Sequence, residues 1–118
     1  MAKRILIAED ELPAREIMTR IAKMLGYDFI AVANGVDLLS IASKEQFDLI
    51  ITDLMMPDLD GASAAEIMKM QGNTTPVIAL TAISTVDLCH VKDKFIKIFH
   101  KPCNFRELFE YVESLIGK

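Results

Sequence analysis

The chain alternates short apolar runs with stretches in which apolar residues recur at helical spacing. "RILIA" (Arg4 to Ala8) is apolar and of strand length. From Pro13 to Leu25, apolar residues fall at Ile17, Ile21 and Leu25, with Met18 and Met24 beside them, which predicts a helix. Pro13 suits a first helical turn, where a missing N–H costs nothing, and Gly26 marks the stop. "FIAVA" (Phe29 to Ala33) predicts a second strand closed by the turn pair Asn34-Gly35, and a short helix follows over 36–43. "FDLIIT" (Phe47 to Thr52) predicts a third strand, and a helix over 62–70 ends near Gly72. "PVIALT" (Pro76 to Thr81) predicts a fourth strand. A helix is expected over 84–93, with poor periodicity and β-branched residues at Thr85 and Val86. "IKIF" (Ile96 to Phe99) predicts a fifth strand. The last helix, 105–116, places Leu108, Val112 and Leu115 on one face behind an Asn104 N-cap.

Strands alternating with helices in this way imply a parallel sheet covered on both faces. Right-handed crossovers make a doubly wound α/β sheet the expected fold. Sites in such sheets form beyond the carboxyl ends of the strands. The first strand ends in Glu9-Asp10-Glu11, the third in Asp53, the fourth in Thr81-Ala82, and the fifth in His100-Lys101-Pro102. If these strands are neighbours, several carboxylates, a hydroxyl and an ammonium share one rim.

Composition narrows the classes. At 118 residues and 52% hydrophobic, the chain suits one domain with a full core. A net charge of −4 argues against a nucleic-acid-binding surface. No apolar run is long enough to span a membrane, and "MAKRILIAEDE" does not read as a signal peptide. The two cysteines, Cys89 and Cys103, lack metal-ligand spacing and are expected to be reduced thiols of a cytoplasmic protein.

The chemistry of the rim follows from charge. Clustered carboxylates raise one another's pKa values unless a cation lies among them. A hard cation such as Mg²⁺ suits carboxylates, waters and a phosphoryl oxygen. Lys101 offers a compact positive charge and Thr81 a hydroxyl donor. Together these groups would receive a phosphoryl group, with Asp53 as the acceptor carboxylate. Such a transfer needs mainly positioning and charge stabilisation.

Taken in order, "LIAEDE", "DLMMPDLDG", "ALTA" and "HKP" resemble the receiver domain of bacterial response regulators, the CheY-like family of two-component signalling. The resemblance spans residues 1–118 and implies a (βα)5 flavodoxin-like fold with strand order 2-1-3-4-5. It implies that Glu9 and Asp10 bind Mg²⁺, that Asp53 is the phosphoacceptor, and that the backbone carbonyl of Met55 completes the metal site. Thr81 corresponds to the switch hydroxyl and Lys101 to the phosphate-binding lysine. A histidine kinase or histidine phosphotransfer protein is implied as donor, with a downstream effector protein as target. The implied protein is a signalling domain rather than an enzyme. It has no nucleic-acid or membrane partner and is a monomer or a phosphorylation-dependent dimer.

Each residue alone has a plainer explanation. Glu9 to Glu11 could be acids at a helix start, Asp53 a loop acid, Thr81 a strand former, and Lys101 a surface lysine. Asp58 and Asp60 are read as ordinary exposed loop acids. Methionines 55, 56, 68 and 70 are read as packing or partner-surface groups. His90 and His100 are read as surface residues, with His100 on the face opposite Lys101. A haloacid-dehalogenase-type phosphatase would want a second acid where Met55 stands. A flavodoxin-like flavin carrier would find Glu9-Asp10-Glu11 repelling its phosphate. A degenerate receiver used only for interaction, or a receiver excised from a larger regulator or hybrid kinase, remains a rival of the same fold. The family's switch aromatic, three residues before the lysine, is here Ile98, with Phe99 one place later. The phenylalanine common after Lys-Pro is Cys103. Met55 and Ile83, which would flank an attacking water, are apolar and predict a long-lived phosphoryl group.

Overall fold

The computed structural model describes residues 2–82 and 92–117. Among these, β1 (Arg4–Ala8), α1 (Leu12–Met24), β2 (Asp28–Val32), α2 (Gly35–Lys44), β3 (Leu49–Asp53), α3 (Gly61–Met70), β4 (Val77–Thr81), β5 (Lys97–His100) and α4 (Phe105–Ile116) follow in order. All strand pairs are parallel, in the order β2-β1-β3-β4-β5, as the resemblance implies. The helix expected over 84–93 falls mainly outside the described residues. Of its span, Lys92 and Asp93 begin a single 3₁₀ turn that runs to Lys94.

Side-chain alternation divides the core into two layers. Leu6 and Ala8 of β1 face Leu38, Ala42, Ala64, Ala65 and Met68 of α2 and α3. Ile5 and Ile7 face the other way, onto Met18 and Ala22 of α1 and Leu108, Phe109 and Val112 of α4. β1, β3 and β4 are the inner strands, so both of their faces must be apolar, and β3 and β4 are buried throughout.

Several expectations shift. The inward face of α1 centres on Met18 and Ala22; Ile21 and Leu25 lie at its margin, and Ile17 and Met24 are exposed. Periodicity alone weights large residues, whereas helix–sheet proximity favours the small Ala22. Asn34-Gly35 is a helix start rather than a turn pair. The Asn34 side chain accepts the Asp37 N–H at 2.8 Å, and Gly35 opens α2. A Cβ on Gly35 would sit 1.8 Å from the Leu59 carbonyl oxygen, so only glycine fits there. β1 has the expected bounds and β2 runs one residue early, whereas β3 and β5 end one residue later than their apolar stretches suggest, because pairing rather than hydropathy ends them. β3 takes in Asp53 through its register with Leu80, and β5 takes in His100 through its register with Thr81. The helix ends at Gly26 and Gly72 are as expected. Both glycines adopt left-handed backbone, φ +86° and +82°, and each sits in a paired-carbonyl cap.

Candidate phosphoryl-transfer site

Main-chain bonds continue past the strand ends and gather the rim. The Glu9 N–H donates to Val32 O at 3.0 Å, Leu54 N–H to Leu80 O at 3.0 Å, and Lys101 N–H to Thr81 O at 2.8 Å. The registers Ala8↔Thr52 and Asp53↔Leu80 bring the residues after β1 level with the end of β3. As a result, Glu9, Asp10 and Asp53 each offer a carboxylate oxygen, all within 4.8 Å of one another. Glu9 is fully buried, Asp53 nearly so, and Asp10 is exposed.

Lys101 lies among them. Its Nζ is 2.5 Å from Asp53 Oδ2, 3.1 Å from Glu9 Oε1 and 3.4 Å from Glu11 Oε1. An ammonium has three protons to donate, and three carboxylates receive them. Burial pulls the Lys101 pKa down, but Asp53 and Glu9 outweigh it and hold the ammonium above its ordinary value. The opposite imbalance acts at Glu9. Burial and then the neighbouring Asp53 carboxyl push its pKa up to about 7, against the Glu11 N–H and Lys101, which favour the charged form.

The phosphoacceptor candidate is fixed from several sides. The Met55 N–H donates to Asp53 Oδ1 at 3.2 Å, and Thr52 Oγ1 donates to the Asp53 carbonyl at 2.9 Å. Gly61 closes the far side, where a Cβ would come within 2.2 Å of the Asp53 carbonyl oxygen. The loop between them is shaped by Asp58 at φ +71° and by Asp60. Asp60 is more than the loop acid expected: it caps α3 by accepting the Ser63 N–H at 2.8 Å. Thr81 is buried at the end of β4, level with His100. Met55 stands 63% exposed at the mouth, whereas Met68 is core. His100 is exposed. Ile83, Cys89 and His90 lie outside the described residues.

Glu11 was placed on the rim from sequence but given no role there, and Arg15 was not singled out. Glu11 reaches Lys101, and its N–H donates to Glu9 Oε2 at 3.2 Å. Arg15 Nη1 donates to the Glu9 carbonyl at 2.8 Å and to that of Asp10 at 3.4 Å. The signal was present: Glu11 and Arg15 are one helical turn apart and so share a face. At the opposite end of β1, Arg4 pairs with Asp28 and Glu45 and lies over the Phe47 ring.

The departure at the switch aromatic is visible in the packing. Ile98 packs with the α2–α3 layer, while Phe99 packs with the α1–α4 layer and meets Tyr111 edge-on at 5.9 Å. Phe99 therefore does not occupy the place an aromatic at position 98 would take.

A parallel five-stranded α/β sheet with an acid trio and a lysine at its carboxyl rim defines a class, and comparison with known proteins agrees. The family model described as the response regulator receiver domain matches residues 5–113, and the chain belongs to that family. It is 38% identical over 84 residues to a probable transcriptional regulator ycf27 of Porphyridium aerugineum, covering 71% of this chain and 35% of that protein. The chain thus spans about a third of the length of that relative. Sporulation initiation phosphotransferase F of Bacillus subtilis is 28% identical over 118 residues, covering 98% of this chain and 95% of the relative. Among solved structures, the receiver domain of the Pseudomonas aeruginosa sensor histidine kinase PA1611 superposes with a TM-score of 0.88. It is 28% identical, both chains are covered in full, and a magnesium ion is coordinated in its active-site cleft. No helix among the described residues is long and apolar enough to cross a membrane.

Proposed function

We propose that residues 1–118 form a receiver domain in which Asp53 accepts a phosphoryl group from a phosphohistidine of a histidine kinase or phosphotransfer protein. The observation that carries this reading is the contact of Lys101 Nζ with Asp53 Oδ2 at 2.5 Å, on a rim where Glu9 and Asp10 bring two further carboxylates. An ammonium alone leaves this trio with excess negative charge. Hard carboxylate oxygens, from two buried acids and one exposed one, suit Mg²⁺. Glu9, Asp10, Asp53 and the Met55 carbonyl would hold it, and when bound it would supply positive charge against the phosphoryl oxygens.

The chain's own residues then have distinct tasks. Asp53 reacts as a carboxylate: one of its oxygens forms a bond to phosphorus as the bond from phosphorus to the donor imidazole nitrogen breaks. The electron pair returns to that nitrogen, so no base on this chain is required. Lys101 exchanges Asp53 Oδ2 for a phosphoryl oxygen, and the Thr81 hydroxyl donates to another. The phosphorylated rim would alter a surface recognised by an effector protein. Retention of the whole residue set favours this over an interaction-only receiver.

The test is intact-mass measurement after incubation with acetyl phosphate and Mg²⁺. One phosphoryl group is expected on the wild type and none on Asp53→Asn. Labelling of Asp53→Asn, or labelling without a divalent metal, would overturn the proposal.

A further inference from the structure

Lys101 is held by a carboxylate that the phosphoacceptor reading does not use. Glu11 Oε1 lies 3.4 Å from Lys101 Nζ, on a side chain 67% exposed, whereas Glu9 on the other side is fully buried. Glu11 is also the N-cap position of α1, yet its side chain makes no capping hydrogen bond. The Glu11 side chain turns to the lysine instead. Because the Glu11 and Asp53 side chains touch the same ammonium, the exposed Glu11 charge lies close to Asp53 Oδ2. The other charged groups there are exposed Asp10 and half-buried Arg15, whose guanidinium is engaged with the Glu9 and Asp10 carbonyls.

We propose that Glu11 is a positioning residue that acts through Lys101: it restrains the ammonium in the resting rim and biases the site against small dianionic phosphodonors. This rests on Asp53 being the phosphoacceptor. Two effects act in the same direction. Lys101 must leave Asp53 Oδ2 to meet an incoming phosphoryl oxygen, and Glu11 competes for it throughout. A dianion such as acetyl phosphate also meets the Glu11 charge directly. Across wet surroundings a few ångströms wide, such a repulsion is comparable to or somewhat larger than thermal energy, and salt screens it. A protein donor can offset that charge with a complementary surface, which a small molecule lacks. With acetyl phosphate, phosphorus gains its bond to Asp53 and loses its bond to the acetyl oxygen, and acetate departs with the electron pair.

The experiment measures initial rates of Asp53 phosphorylation against acetyl phosphate concentration, with Mg²⁺ in excess, at low and high ionic strength. It compares the wild type with Glu11→Gln, Glu11→Asp and Glu16→Gln. Glu16 is an exposed α1 acid with no part in the rim, so Glu16→Gln controls for net charge. For Glu11→Gln, the ratio of rate to donor concentration should rise about fivefold at low salt and depend little on salt. The wild-type rate should climb with salt, and Glu11→Asp and Glu16→Gln should follow the wild type. A Glu11→Gln rate equal to or below wild type, or an equal gain in Glu16→Gln, overturns the role of Glu11. Failure of every protein to be labelled at Asp53 overturns the phosphoacceptor reading and this inference with it.

Discussion

At the residue scale, the rim is one lysine shared among three carboxylates. Asp53 is buried, and Lys101 and the Met55 N–H supply its carboxylate with hydrogen bonds in place of the water it loses. Met55 then has a second consequence. Its side chain is exposed and apolar, and on the proposed function, two residues after the acceptor, it would not orient a water for attack on a phosphoryl group. Met55→Asn should shorten the lifetime of the phosphorylated protein at least about threefold, read as a decay time course after donor removal. A lifetime that is unchanged or longer would refute the shielding role. Cys103 shows the same logic without function: burial first, then Glu107, push its thiol pKa up, with Lys101 opposing. The fold therefore favours the neutral thiol. That contribution to stability is whole below the unfolded thiol pKa and is lost as pH rises past it. Alkylation of Cys103 in the folded protein, followed by mass spectrometry, should be slower than that of a free thiol at the same pH, and a rate equal to the free thiol's would refute the shift.

At the element scale, the starts of helices set the positions of the acids. α3 begins at Gly61 directly against the Asp53 carbonyl, so a methyl group there must displace either the helix or the acceptor strand. Gly61→Ala should cost about 1–3 kcal/mol in chemical denaturation and slow Asp53 phosphorylation in the surviving folded protein. Loss of stability with an unchanged rate would show that the contact serves packing alone. α4 carries its own cap, three residues after Lys101 in the chain: Asn104 Oδ1 accepts the Arg106 N–H at 3.0 Å and the Glu107 N–H at 3.3 Å. Asn104→Ala should cost about 1 kcal/mol and leave phosphorylation unaffected, which makes it the control for Gly61→Ala.

At the scale of the whole molecule, the sheet is a platform with a structural end and a chemical end. Arg4 and its two acid partners tie down one end, while Lys101 is surrounded by three carboxylates at the other. A ligand that binds only the folded rim stabilises the fold by mass action. With Mg²⁺ at ten times its dissociation constant, the gain is about 1.4 kcal/mol, or a rise of about 4–6 °C in melting temperature for a domain of this size. Asp10→Asn should remove most of that rise. A Mg²⁺-induced shift retained in full by Asp10→Asn would place the ion elsewhere. Signal output is also decided at this scale. Ile98 and Phe99 belong to opposite layers, so a readout through a buried threonine and an aromatic at position 98 is not built into this chain.

The sequence by itself determined the strands, the doubly wound sheet and the candidate residues. A buried inner strand must be apolar on both faces, and "RILIA", "LIIT" and "VIALT" declare that locally. An acid or lysine that ends such a run is equally visible, as Glu9, Asp53 and Lys101 were. Element limits were less legible, because Asp53 and His100 join their strands through hydrogen bonds to partners distant in the chain. The face of α1 was misjudged for a related reason: depth beneath the sheet, set by Ala22, is a property of packing and not of hydropathy. Only the tertiary structure decided that Lys101 serves three acids, that Glu11 is one of them, and that Arg15 grips the carbonyls behind the acid pair. Those contacts join residues up to 92 positions apart, and their geometry exists only once register and crossovers have closed the rim.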